Sequence, residues 1–160
     1  MSGKVVDKDL GWNEIIGNLE KADGKTTKVG VVGPPGRRKL PSGLTVASVA
    51  AVHEFGSSDG RIPERSFIRA AVDDNQDAIV DSFIALGEGI YDLEPEDLKQ
   101  ALEGIGAQVT GYIQAKIRDG LEPPLKPETV EENGGETRPL AVWLSEAQTI
   151  EHEEGGGEDT

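Results

Sequence analysis

The chain has 160 residues, a length that suits one compact domain with flexible ends. It holds no cysteine, which excludes disulfide staples, thiol catalysis and cysteine-based zinc sites and fits a reducing site of synthesis. Thirty acidic residues against sixteen basic ones give a formal charge of −14, a surface that repels phosphate backbones and argues against general nucleic-acid binding. Residues 128–160 carry ten carboxylates and a single arginine, so the acidity is concentrated there. A solvated acidic tail and a halophilic origin both account for it.

The first twenty residues include Lys4, Asp7, Lys8, Asp9, Glu14 and Glu20, so no apolar leader is expected. No run approaches the roughly 20 apolar residues that span a bilayer. Residues 9–21 read as an amphipathic helix, with Trp12, Ile15, Ile16 and Leu19 on one stripe, Asp9 as N-cap and Asp23-Gly24 as the stop. Residues 27–32, Thr-Lys-Val-Gly-Val-Val, read as a strand. Residues 33–43 then form an irregular loop with three prolines and the basic run Arg37-Arg38-Lys39.

Residues 45–54 look helical, with Val46, Val49, Ala50 and His53 on one face and Gly56 closing the segment. Residues 57–64 are a polar loop whose Pro63 bars a regular helix interior. A helix is expected from Ser66 to about Ile90, burying Phe67, Ala70, Ala71, Ala78, Phe83, Ile84 and Leu86. The clearest element is residues 95–119. Pro95 stands at its first position, Glu96 and Asp97 lie in its first turn, and Gly120 supplies the stop before Pro123-Pro124. Its apolar seam runs through Leu98, Leu102, Ile105, Val109, Tyr112, Ile113 and Ile117, with Lys116 alongside. Residues 139–150 offer one more strand or hairpin, and residues 151–160 are too polar to bury anything and should be disordered. The expected class is α+β: a small antiparallel sheet packed with several helices, one of them long and in the C-terminal half. A single domain is expected over residues 1–150.

The search for chemistry is negative. Gly33-Pro34-Pro35-Gly36-Arg37-Arg38-Lys39 follows the expected strand as a phosphate loop would. However, it lacks the Gly-Lys-Ser/Thr ending, and two prolines remove amide donors. A small phosphate- or nucleotide-binding enzyme built on Gly33–Lys39 is therefore the remote alternative. His53-Glu54 would open a zinc-protease helix only with a histidine at position 57, which is Ser57, and the other histidine is the distant His152. His53 reads instead as a helix-end residue making a local hydrogen bond. No serine stands with a positioned base, and no carboxylate pair is singled out by its spacing. No catalytic residue, metal or cofactor is expected.

One stretch is more specific. Residues 46–56 read Val-Ala-Ser-Val-Ala-Ala-Val-His-Glu-Phe-Gly, and residues 61–71 read Arg-Ile-Pro-Glu-Arg-Ser-Phe-Ile-Arg-Ala-Ala. Together they resemble the signature of the tail-completion and neck proteins of tailed phages, the virion morphogenesis or head–tail joining family. The matching positions are Ala50, Val52, His53, Glu54, Phe55, Gly56, Ile62, Pro63, Arg65, Phe67 and Arg69. Val29–Val32 falls where that family has a valine-glycine-valine strand. Pro123–Val130 is similar to its post-helix segment, and Thr137-Arg138-Pro139-Leu140 to the start of its final motif. The chain then departs, with Ala141-Val142-Trp143-Leu144-Ser145 in place of the usual aspartate-threonine-glycine turn.

The resemblance implies a virion structural protein at the head–tail interface, made and assembled in the host cytoplasm. It further implies a self-associating ring, six-fold in such proteins, that meets neighbouring neck and tail proteins. A tail terminator or tail-assembly protein of the same machine is the alternative. DNA would pass through such a ring without specific binding, and no membrane is involved. Within the motif, Phe55 and Phe67 are expected to anchor the loop in the core, each contributing about 1.5–3 kcal/mol. Gly56 permits a left-handed turn and Pro63 sets an extended entry. Arg65 and Arg69, one helical turn apart, are expected to share a face and clamp either Glu54 or a carboxylate on a neighbouring copy. Loops 33–43 and 57–64 are the candidate contact surfaces.

Overall fold

The computed structural model describes residues 11–40, 42–90 and 95–132. Seven helices make up 66% of this, and no sheet forms among the described residues. They are α1 (Trp12–Ala22), α2 (Gly33–Arg37), α3 (Val46–Phe55), α4 (Ile68–Asp74), α5 (Gln76–Gly89), α6 (Pro95–Asp119) and α7 (Pro127–Glu132).

The expected α+β class is therefore corrected to all-α. Residues 27–32 form no strand among the described residues: Lys28 makes only an isolated bridge, and the chain bends at Gly30 and Val31. Val29 and Val31, two residues apart, pack against the core as half-buried side chains. The β-branched pattern thus marked residues that pack on the core, but a strand also needs a partner with which to form a ladder. The one bridge between described residues, Lys39 with Thr45, only closes a turn. The strand proposed for 139–150 and the acidic tail 151–160 lie outside the described residues.

α6 is the central element, and α1, α4 and α5 all pack on it. Its length matches the sequence expectation. Leu98, Leu102, Ile105, Ile113 and Ile117 are buried along one seam, and Gly120 follows with a φ of 98°. The main core joins α3 (Val46, Ala50), Phe67 and Ala71 of the α4 region, and Ile113 and Ile117 of α6. Partly buried Val29, Val31, Leu40, Val109 and Tyr112 surround it.

Three other expectations change. The helix placed over 66–90 is two helices. Asn75 breaks it with φ −122° and ψ 19°, and its side-chain Nδ2 donates to Ala71 O at 2.8 Å. Asparagine offers the backbone this local alternative, which is why it favours helix ends. The loop placed over 33–43 contains the short helix α2. Pro34 and Pro35 lie in its first turn, where a missing N–H is no loss. In α1, Gly11 (φ 104°) occupies the N-cap position, and the expected cap Asp9 lies outside the described residues. Ile15 and Ile16 are half-buried, whereas Trp12 and Leu19 remain exposed.

α5 also departs from its expected burial. Phe67 and Ala71 are buried as foreseen and Ala70 and Leu86 are half-buried, but Ala78, Phe83 and Ile84 are exposed. α5 lies on α6 through its other side. There the Ser82 hydroxyl reaches Gln108 Oε1 at 2.9 Å, and Gln108 Nε2 donates to Tyr112 Oη at 2.8 Å.

Candidate functional site

The segment that carries the motif is built around a buried carboxylate. Thr45 caps α3 by accepting a hydrogen bond from Ser48 N at 3.1 Å. The helix then runs to its last turn, where Glu54 points inward and is only 4% exposed. Glu54 Oε2 accepts from Phe67 N (2.8 Å) and Ile68 N (2.9 Å), and Oε1 accepts from Arg69 N (3.0 Å) and the Ser66 hydroxyl (2.8 Å).

The first amides of any helix lack intrahelical acceptors. Phe67, at the N-cap of α4, makes no side-chain cap of its own. Glu54 thus caps α4 from another helix, bringing negative charge to the positive end of its dipole. Burial pushes the Glu54 carboxyl up. The hydrogen bonds from Ile68, Arg69, Ser66 and Phe67 outweigh it and hold the group below its ordinary value.

This geometry corrects the arginine clamp. Arg65 and Arg69 do not share a helix face, because α4 begins only at Ile68 and Arg65 precedes it outside the helix. Arg65 is buried and donates through Nε to Pro123 O (2.5 Å) and through Nη2 to Pro124 O (3.2 Å). Its own amide donates to His53 O at 2.7 Å. Arg65 therefore ties the end of α3 to the chain leaving α6. Arg69 is exposed and pairs with Glu64 on the surface.

His53 is half-buried, and its Nδ1 has no hydrogen-bond partner, contrary to the expected local bond. Burial, and then the positive charge of Arg65, push its pKa down, which favours the neutral ring.

Between these anchors the chain makes a tight connector. Gly56 has φ 76°, and a Cβ there would lie 3.1 Å from both Glu64 N and Ile62 O, so glycine is needed on conformational and steric grounds. Ser57 N donates to Ile62 O (2.9 Å), Ile62 N donates to Ser57 Oγ (2.8 Å), and Ser57 Oγ donates to Asp59 Oδ1 (2.6 Å). Arg61 N and its guanidinium bind the same Asp59 carboxylate. The hydrogen bond from Ser57 and that from the Arg61 amide hold the Asp59 carboxyl below its ordinary value.

Of the two aromatics expected to anchor the loop, only Phe67 does so, with no exposure at all. Phe55 is 70% exposed at the mouth of the connector, and Ile62 is 41% exposed at its far side. Pro63 is exposed and lies outside any helix.

The basic run Arg37-Arg38-Lys39 is exposed at the end of α2 and in the turn that leads to α3. Leu40 N donates to Leu44 O (2.8 Å) and Val46 N to Arg38 O (3.0 Å), which fixes that turn. The amides of Gly36 and Arg38 donate to Val32 O and Pro35 O, so they are occupied within the chain rather than converging on a phosphate position.

Gly56-Ser57-Ser58-Asp59-Gly60 has the spacing of a nucleophile elbow, missed in the sequence reading above. That elbow joins a strand to a helix. Here the segment leaves a helix, and Ser58 is exposed with no base bonded to it among the described residues. No group of three or more histidine, cysteine, aspartate or glutamate side chains converges as a metal site among the described residues. Among them too, no helix is long and apolar enough to cross a membrane.

Ser66, Pro123 and Pro124 also take part in this arrangement, although the sequence marked them only as a helix start and as a helix stop and post-helix segment. The Ser66 position just before an apolar helical run was the available signal for the first. The two prolines act only through their carbonyls, which leave no mark in sequence. Comparison of the chain with protein families, with curated proteins and with solved structures finds no match.

Proposed function

We propose that this chain is a structural subunit of a tailed-virus particle, a tail-completion or neck protein that forms a ring at the head–tail interface. The observation that carries the reading is the organisation of residues 46–71. Their buried polar groups, Glu54 and Arg65, are engaged in bracing a short connector rather than facing a substrate. That connector turns Phe55 and Ile62 outward on a backbone fixed by Ser57 and Asp59. A rigid loop with outward apolar side chains suits docking, because little conformational freedom is lost on contact. The same residues carry the resemblance to neck proteins, and the two arguments converge on presentation of a surface rather than on turnover.

A ring needs heterologous contacts, in which one patch meets a different patch on the next copy. Neighbouring neck and tail proteins would contact the ring's other faces. A net-negative subunit would line a channel through which DNA moves without adhering. The test is the position of the protein in intact particles. An epitope-tagged copy imaged with gold-conjugated antibody should label the junction of head and tail. Mature particles devoid of the label, or labelled elsewhere, would contradict the proposal.

A further inference from the structure

The charges of this chain are segregated along it and across its fold. Residues 24–53 contain Lys25, Lys28, Arg37, Arg38 and Lys39 and no acidic residue. Residues 70–90 contain Asp73, Asp74, Asp77, Asp81 and Glu88 and no basic residue. The first group includes α2, which packs on α3, and the second includes α5, which packs on α4 and α6.

Each region also exposes apolar side chains. Val80, Phe83 and Ile84 stand at i, i+3 and i+4 on α5, on the side turned away from the Ser82–Gln108 contact with α6, and all three are about half exposed. Asp77, Asp81 and Glu88 lie along one flank of that stripe, exposed and in no ion pair among the described residues. On the basic side, exposed Leu44 shares its tight turn with exposed Lys39, and exposed Arg37 ends α2 just before that turn.

We propose that the occupant of the α5 stripe is a second copy of this chain. Its Arg37–Leu44 turn places Leu44 against Val80, Phe83 and Ile84, and Arg37 and Lys39 against Asp77 and Asp81. The contact is head-to-tail, because the two patches differ and lie on different elements of the same molecule. Burying apolar side chains supplies the attraction. The opposite charges set register and partner, and exclude the like-with-like pairing of two α5 helices, whose acidic flanks would repel. The inference deepens the ring reading and rests on it for the identity of the neighbour, while naming the surfaces that reading leaves open.

The test uses the full chain in sedimentation velocity over a concentration series at low and high salt. The parent should self-associate, more weakly at high salt. Variant one, D77S/D81S/F83S, and variant two, R37S/K39S/L44S, should each associate at least about tenfold more weakly, with circular dichroism spectra like the parent. Mixed together, they should form a one-to-one dimer, since each keeps the half that the other has lost. Parent association unaffected by either variant, no dimer on mixing, or a parent monomeric at all concentrations would overturn the inference. None of these results alters where the protein sits in particles, so the ring reading is judged separately by the labelling experiment.

Discussion

Replacing Glu54 by glutamine tests the bracing of the motif directly. The carboxylate accepts four hydrogen bonds, two on each oxygen. An amide offers one acceptor oxygen and one donor group. If its oxygen takes the place facing Phe67 N and Ile68 N, its NH2 faces the Ser66 hydroxyl and Arg69 N. The hydroxyl can rotate to accept, but the Arg69 amide is left facing another donor. An orphaned donor costs about 1–3 kcal/mol. Losing the negative charge at the start of α4 costs a further 0.3–2 kcal/mol or so.

The expected loss for Glu54→Gln at neutral pH is therefore about 1–5 kcal/mol, and more for Glu54→Ala, which leaves all four donors unmet. With a urea m-value of about 2 kcal/mol/M, the unfolding midpoint falls by about 0.5–2.5 M. Urea titration followed by far-UV circular dichroism reads this. The difference from the parent should shrink in acid. The folded carboxyl titrates below its ordinary value of 4.5, so its stabilisation is complete above that value and is lost as pH falls through the depressed one. A Glu54→Gln protein within about 0.5 kcal/mol of the parent at neutral pH would refute the reasoning, since that is the range of an inconsequential surface change.

Phe67→Ala should cost about 3–5 kcal/mol, whereas Phe55→Ala should leave the unfolding midpoint nearly unchanged; equal effects would contradict their opposite burial. Gly56→Ala should destabilise by about 1–3 kcal/mol in the same assay, because the added Cβ meets Glu64 N and Ile62 O at positive φ. Arg65→Ala should cost about 2–4 kcal/mol and increase amide hydrogen exchange in residues 120–126, while Arg69→Ala should be near neutral. His53 adds acid sensitivity. Its folded pKa lies below its ordinary 6.5, so as pH falls below 6.5 the unfolded chain binds the proton first and stability drops; His53→Leu should remove that part of the slope of stability against pH.

How much could be read from sequence depended on how local the determinants are. α6 was legible because its proline start, acidic first turn, seam and glycine stop lie within the element itself. α3 and the connector were legible for the same reason. Residues 27–32 show where a local pattern stops short: alternating valines favour a strand, but only tertiary pairing makes one. For α5 the apolar residues overstated burial, because α6 covers one side of the helix while Val80, Phe83 and Ile84 lie on the other.

Glu54 was singled out from sequence, but its partners were misassigned. Opposite charge suggested Arg65 and Arg69. The carboxylate instead serves a hydroxyl twelve residues later and a cluster of amides thirteen to fifteen residues later, including that of Arg69, and this geometry exists only once α3 and α4 are packed together. The exposure of Phe55 likewise follows from Glu54 turning inward at the adjacent position, a choice between neighbours that hydrophobicity alone decides the wrong way.

The claim on which the account turns is that the connector from Phe55 to Ile62 is a docking surface in the assembled particle. A photo-crosslinking amino acid placed at position 55 and activated in intact particles measures this directly. The account predicts covalent adducts joining this chain to a second copy or to an adjacent protein of the head–tail junction. Incorporation into particles with no adduct from position 55, under conditions where a control residue at a known interface cross-links, would contradict it.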